Sequence, residues 1–443
     1  MRFHESLRGL ADVATEMGIP LDRETVIVRD GVGRLILCRE KIESPAHVET
    51  ALRQRLGGYA APVVIITGSP AKKLLADPRV NEVEVTLSSG WSGVIRYADR
   101  RVVGMDWLQS PAAPSPGPKR LVFGSLKGGV GRSTALAVLA ADLARAGKKV
   151  LAIDLDLEAP GIGFLLLPGG DDPSQDRRPL FGVVDYLLEN SVDGIADEDL
   201  YDFIGVSPFT DSAIDVIPAV GRITDDYPET MIAKLSRALV EDREAGRTVP
   251  VTQQIREMID RFVKRGEYDA VLIDARAGMA EISAAPMLGL GGEILLFGTD
   301  QPQTIRGYAY ILAHLVSVSD FSQMPPDCDW RSRLSFVQAK APSALSKRSN
   351  FRDQLYELCA SILYDKEQLE DGRVAAPAEF SPGPNETGRG VPHDALFVQF
   401  HPDYDAFDPI GDRTQLDPEV YRGPFGAFLE RAWELLELRR EGV

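Results

Sequence analysis

A doubly wound, mostly parallel α/β domain, preceded by a smaller α/β domain, is the architecture this sequence predicts. Three observations carry that expectation. Beyond residue 119, apolar strand-like runs alternate with amphipathic helix-like segments, the pattern of a parallel sheet covered on both faces. Ahead of them stands Pro111-Ala-Ala-Pro-Ser-Pro-Gly-Pro118, a run that can continue neither a helix nor a central strand. The first strand of the larger part then leads through a glycine-rich turn straight into a helix. At 443 residues the chain is longer than one ordinary domain. With 44% hydrophobic and 26% charged residues it has the apolar material to bury real cores. The expected division is a small domain at 1–110, a semi-rigid spacer at 111–118 and the larger domain at 119–443.

In the first part, Arg2–Met17 has helical periodicity, and Glu24–Arg29 and Arg34–Cys38 are strand-like on either side of the turn signal Asp30-Gly31-Val32-Gly33. His47–Leu56 reads as helix, Pro62–Thr67 as a buried strand, and Val83–Leu87 and Gly93–Tyr97 as two more strands. No catalytic constellation is visible there, so an adaptor module and a structural appendage are both open. In the second part the expected strands are Arg120–Ser125, Lys149–Asp154, Ala213–Pro218, Ala270–Asp274, Glu293–Gly298, Leu334–Gln338 and Ala395–Phe400. Helices are expected at Arg132–Ala146, Leu180–Leu188, Pro228–Glu241, Val251–Lys264, Pro302 to about Val318, Phe351–Leu363 and Gly423–Leu438. The stretch from Asp365 to Pro392, rich in Gly, Pro and Glu, reads as a long loop.

Composition narrows the function classes. A formal net charge of −17 argues against a nucleic-acid binder with a dominant basic face, leaving only local clusters at Arg331–Arg333 and Lys347–Arg352. Cys38, Cys328 and Cys359 are far apart, which fits a reducing cytoplasm rather than a disulfide framework or a zinc site. No signal peptide and no transmembrane segment are expected. The histidines never reach metal-ligand spacing, and no G-x-S-x-G elbow occurs.

The strongest signal is Val122-Phe-Gly-Ser-Leu-Lys127-Gly128-Gly129-Val130-Gly131-Arg132-Ser133-Thr134. Glycines allow backbone conformations closed to other residues, so successive N–H groups can converge on one anion, and the helix that follows adds its N-terminal partial charge. Ser133 is placed to ligate Mg²⁺, and Thr134 to bond a phosphate. Lys127–Thr134 resembles the deviant Walker A motif of the ParA/MinD family of P-loop ATPases, whose usual form is K-G-G-x-G-K-[ST]. The resemblance runs from about Arg120 to Phe400 in motif order. It implies that Lys127 reaches across a nucleotide-sandwich dimer to the partner's phosphates. The family's second lysine is Arg132 here; arginine keeps the charge but is planar and bulkier, which puts hydrolysis in question.

Two further motifs follow in the family's order. Lys149-Val-Leu-Ala-Ile-Asp154-Leu-Asp156 delivers two acids at a strand end, where doubly wound folds place their chemistry. Its likeness to the family's first switch implies Asp156 as the group that orients water, with Asp154 supporting it near the metal. Glu267-Tyr-Asp-Ala-Val-Leu-Ile-Asp274-Ala-Arg-Ala-Gly278 has the Walker B pattern, implying Asp274 as an Mg²⁺ ligand and Gly278 as a flexible sensor of the γ-phosphate. Glu293–Asp300 is similar to the next family strand, with a tip toward the nucleotide; Gln338 falls where relatives contact the base, and Pro392 where relatives have a base-side loop.

The resemblance thus implies an ATP-binding, Mg²⁺-dependent, dimeric molecular switch that acts on a partner protein, and the departure at Arg132 points to hydrolysis that is slow or absent. A non-hydrolysing scaffold is the alternative. A P-loop kinase or transferase is a further one, weakened by the few tyrosines near the end, Tyr404 and Tyr421. The apolar face of the C-terminal helix (Phe425, Phe428, Leu429, Trp433, Leu436) lacks a strong basic flank, favouring docking on protein over membrane binding.

Overall fold

The computed structural model describes all residues except 78–79, 102, 171–175, 211–212, 245–246, 322–323, 367, 371–372, 377–378 and 441–443. The chain divides into two units, Met1–Met105 and Asp106–Val443. The division lies ahead of the proline run, and the run itself is bonded along the second unit. Ala112 and Ser115 keep the N–H groups that prolines lack, and donate them to the carbonyls of Leu288 (2.6 Å) and Gly291 (3.0 Å).

The first unit contains α1 (Phe3–Glu16), β1 (Thr25–Arg29), β2 (Leu35–Arg39), α2 (Pro45–Leu56), β3 (Ala60–Ile66), α3 (Gly68–Leu75), β4 (Asn81–Thr86) and β5 (Ser92–Asp99). Its five-stranded sheet has the order β3-β2-β1-β5-β4, mixing parallel and antiparallel pairs. Leu10, Ala14, Leu37, Leu52 and Val64 build its own core. Helix α3 is only eight residues long, with Ala71 buried and Leu74 and Leu75 partly buried, too short to repeat an apolar stripe that would mark it in the sequence.

The second unit runs β6 (Lys119–Ser125), α4 (Arg132–Arg145), β7 (Val150–Leu155), α5 (Ile162–Leu166), α6 (Val183–Val192), β8 (Gly205–Val206), β9 (Ile214–Ile217), α7 (Ile223–Asp226), α8 (Met231–Ala238), β10 (Asp242–Glu244), β11 (Arg247–Val249), α9 (Val251–Arg265), β12 (Ala270–Ala277), β13 (Glu293–Gly298), α10 (Pro302–Ser317), β14 (Leu334–Ala341), α11 (Leu345–Ile362), β15 (Gln368–Glu370), β16 (Arg373–Ala376), β17 (Leu396–Gln399) and α12 (Pro418–Leu435). Eight strands form one sheet in the order β17-β14-β13-β6-β12-β7-β9-β8, parallel except for the β8–β9 edge pair. Both faces are covered, and the pleat sorts the side chains: Leu121 and Phe123 pack with α4 and α12, while Val122 packs on the other face with Ile255 and Met258 of α9. The central strand β6 feeds the glycine turn at the C-terminal edge of the sheet, where open α/β sheets bind ligands.

Several expectations are corrected. The stretch expected as a plain loop between Asp365 and Pro392 contains the antiparallel pair β15–β16. A second small hairpin, β10–β11, follows α8. Helix α12 begins at Pro418, not Gly423, and carries Pro424 inside; the later proline resembled a start because proline suits a first helical turn, as Pro418 does. Helix α11 starts at Leu345 instead of Phe351, since its first turns are polar and exposed and show no periodicity. Among the described residues no helix is long and apolar enough to cross a membrane.

Candidate functional site

The turn after β6 is held open by its own backbone. Gly129 and Gly131 have φ of +71° and +81°, a region that side-chain-bearing residues avoid, and Ser125 Oγ bonds the Lys127 carbonyl at 2.9 Å. A Cβ at Gly128, Gly129 or Gly131 would meet nothing within 4 Å, so the space before the loop is free. The first helical bond here runs from Ala135 N to Gly131 O. The preceding amides of the first turn are therefore the orphan donors that any helix start leaves. Free amides, glycine conformations and a helix N-terminus together make an anion cradle.

Around this cradle the structure gathers most of the expected residues. The parallel register of β7 and β12 sets Asp154 beside Asp274. Asp154 is wholly buried and accepts from the amides of Asp156 (3.0 Å), Gly161 (2.8 Å) and Ile162 (3.1 Å). Burial, with Asp274 close by, pushes its carboxyl up to about 8. Asp274, also buried, accepts from Ser133 Oγ. Burial raises it to about 6, against the opposing pull of Arg132 and the Ser133 hydrogen bond. Arg132 bonds Asp156 Oδ2 through Nη2 at 3.1 Å and lies 3.7 Å from Asp274 Oδ1 through Nε. Arg132 Nη1, Asp156 Oδ1 and Asp274 Oδ1 are buried and make no hydrogen bond.

Orphaned polar atoms of both signs beside an open anion cradle fit a phosphate and a hard cation, since unpaired buried groups are costly unless a ligand meets them. Ser133 and Asp274 are the residues that would hold Mg²⁺, whereas Asp154, expected as a third metal-site acid, stands beside Asp274 with its oxygens already accepting three backbone amides. Among the described residues no three His, Cys, Asp or Glu side chains converge on a metal position, so phosphate oxygens would complete the shell, as is usual for Mg²⁺.

Other residues fall differently. Lys127 is exposed, and its Nζ turns sideways to Gln301 Oε1 (3.3 Å) and Gln303 Oε1 (3.2 Å) at the start of α10. Val130 is buried, and Thr134 lies half-buried on the first turn of α4. Gly278 has φ +96°, but its N–H is already given to the Ser125 carbonyl at 2.9 Å. Gln338 ends up level with Gly298 on β13, buried, with Nε2 unpaired.

Pro392 is not with them. It precedes β17, which runs parallel to β14, so it enters at the N-terminal edge of the sheet, the end opposite the cradle. Neighbouring Gly390 lines a cavity with Gly292 and Glu293, at the start of β13. The segment leaving β17 at the cradle edge is Phe400-His401-Pro402, with Phe400 N bonded to the Ala341 carbonyl at 3.0 Å. Its signal in the sequence is Pro402, just after the last strand, whereas Pro392 stands just before it.

The arginines of the basic clusters are tied into the fold. Arg331 is tied to Asp329 (2.7 Å) and Asp365 (2.6 Å), and buried Arg333 donates to the carbonyls of Gly292 (3.3 Å) and Ala112 (2.6 Å). Arg348 and Arg352 likewise donate to the carbonyls of Pro342, Ser343 and Pro384. The apolar face of α12 packs on α4 within the core, and Tyr421 and Trp433 both donate to Asp142.

No curated protein matches the chain. Among solved structures it is similar to the MinD cell division protein of Aquifex aeolicus: 16% identity, 73% of this chain and 100% of that one, TM-score 0.41. It is also similar to a plasmid partition protein of Borrelia burgdorferi, at 19% identity over 53% of this chain and 83% of that one, TM-score 0.34. A third is cobyrinic acid a,c-diamide synthase of Mycobacterium smegmatis with bound ADP and magnesium, at 19% over 57% and 85%, TM-score 0.35. Residues 121–337 match the CobQ/CobB/MinD/ParA nucleotide binding domain, a span that holds the glycine turn and all three aspartates. Over that span the chain is a ParA/MinD-like member of this family of P-loop nucleotide-binding domains.

Proposed function

We propose that this protein is an ATP-binding switch of the cytoplasm that forms a face-to-face dimer with nucleotide and thereby regulates a partner protein. The single observation that carries the reading is the meeting of an open glycine cradle with unpaired buried atoms of Arg132, Asp156 and Asp274. Lys127 through Thr134 would bind the phosphates, Ser133 and Asp274 would hold Mg²⁺, and Asp154 would keep the Asp156 backbone in place. Mg²⁺, when bound, would neutralise phosphate charge. Asp156 would orient water for hydrolysis. Lys127, exposed and turned away from its own loop, would exchange its bonds to Gln301 and Gln303 for the phosphates of a second copy. Gln338 and the Phe400–Pro402 segment are the groups available to the nucleoside end. The first unit, with a separate core, would recruit the partner.

The test uses the full chain: ATP binding, turnover and sizing for wild type, Lys127→Ala and Asp156→Ala. Wild type should bind ATP, Asp156→Ala should bind it but turn over at least tenfold more slowly, and Lys127→Ala should stay monomeric with ATP. If none of the three binds ATP, the proposal falls. One observation favours a second reading, a non-hydrolysing scaffold: Arg132 already pairs with Asp156, the water-orienting candidate. Arg132→Lys separates the two, because a large gain from near-zero turnover selects the scaffold and a loss selects the switch.

A further inference from the structure

We propose that Arg132 is a resident counter-ion: in the nucleotide-free protein its guanidinium holds the place at Asp156 and Asp274 that a divalent cation would take, so the two exclude one another. Asp154 and Asp274 lie side by side at the ends of β7 and β12, and Asp156 follows directly after β7. The cation that reaches them is Arg132, 3.1 Å from Asp156 and 3.7 Å from Asp274, with the three side chains 8%, 10% and 1% exposed.

The pairing is nevertheless unfinished. One nitrogen of Arg132 and one oxygen of each partner lack a hydrogen bond. Opening this bridge gives up one good hydrogen bond and one looser 3.7 Å contact, and the charge removed from the carboxylates has to be replaced. Arg132 stands on the first turn of α4, directly beside the free loop amides, so turning its side chain alone would carry the charge from the carboxylates toward the cradle. On this view an anion in the cradle draws Arg132 away and leaves Asp156 and Asp274 short of positive charge, which a divalent cation then supplies. This inference rests on the proposed nucleotide site and adds the order of charge exchange within it.

The experiment measures Mn²⁺ binding to the nucleotide-free full chain, from the electron paramagnetic resonance signal of free Mn²⁺. Wild type should bind most weakly, Arg132→Gln at least tenfold more tightly, and Arg132→Lys in between. Adding Asp274→Asn to Arg132→Gln should return affinity to the wild-type level. Equal affinities for wild type and Arg132→Gln within twofold, or a gain that survives Asp274→Asn, overturns the proposal. Should Arg132→Gln fail to fold, wild type against Arg132→Lys makes the same comparison, with a threefold gain expected and none overturning it. Nucleotide is absent throughout. Failure of wild type to bind ATP would therefore remove the proposed function alone, and equal Mn²⁺ affinities in a protein that binds ATP would remove the counter-ion alone.

Discussion

Helix α4 carries a buried charge near each end, and the fold treats the two in opposite ways. Asp142, in its later turns, is saturated: Tyr421 Oη donates at 2.9 Å, Trp433 Nε1 at 2.8 Å and Arg440 Nη2 at 2.8 Å. Arg132, roughly 15 Å earlier along the axis, makes one good bond and one loose contact, and leaves Nη1 unpaired. Asp142 locks α12 against the helix that follows the glycine turn. Arg132 sits among groups with capacity to spare. Complete satisfaction marks a charge that belongs to the architecture, and a deficit marks one that is reserved for something that arrives.

The largest expected effect tests the second half of that contrast. Replacing Arg132 by Gln leaves buried carboxylates without their counter-charge, and removing one partner of a buried pair costs about 3–5 kcal/mol. Denaturant unfolding of the nucleotide-free protein should show it; a cost below about 1 kcal/mol would mean that Arg132 is no buried counter-ion. Next comes Asp142→Ala. It strands the Tyr421 hydroxyl and the Trp433 N–H, at ~1–3 kcal/mol for each unpaired group, for a total near 3 kcal/mol. Amide exchange across residues 418–435 should quicken, and Asp142→Asn, which keeps one acceptor oxygen, should cost less than half as much. Unchanged exchange would separate α12 from Asp142.

A third measurement follows stability with pH. The raised carboxyls of Asp154, to about 8, and Asp274, to about 6, mean that the folded state binds protons more readily than the unfolded chain between pH 4 and those values. Their contribution is fully present below pH 4 and is lost as pH rises, through about 6 for Asp274 and about 8 for Asp154. Each group can contribute at most ~1.4 kcal/mol per pH unit. Between pH 6 and 8 Asp154 acts alone of the two, so Asp154→Asn should flatten the slope in that window; the same slope in both proteins would deny the burial its effect. The smallest effect is Gly129→Ala. With φ at +71° and no atom within 4 Å of the added Cβ, the cost is backbone strain alone, about 1 kcal/mol. ATP should also bind less well, because the loop relaxes from its open shape; a neutral Gly129→Ala would show that the loop is not held in advance.

Much of this was legible beforehand for a physical reason. The strands of the large sheet are buried on both faces and read as unbroken apolar runs, so Arg120–Ser125 and Ala270–Asp274 stood out. Glycine conformations are local, so the turn at 127–131 was visible too. Elements whose stability comes from contacts distant in sequence were hidden: α3 with one buried residue, the polar start of α11, and the edge strand β8, which has two residues. The proline run was legible as a break, but not as a segment bonded along the second unit, because that depends on the carbonyls of Leu288 and Gly291. Pro392 was misplaced because a motif's order along the chain does not say which end of a strand it meets.

The sequence by itself determined the glycine turn, the acids at strand ends and the two cations beside the loop, since those depend on local backbone freedom and the apolar runs leading into them. Only the tertiary structure decided which charges meet. The β7–β12 register brings Asp154 to Asp274, the seating of α4 sends Arg132 to Asp156 rather than into the cradle, and the direction of β17 carries Pro392 to the far edge. Pairing between distant segments is set by packing the whole sheet, and no window of neighbouring residues contains it.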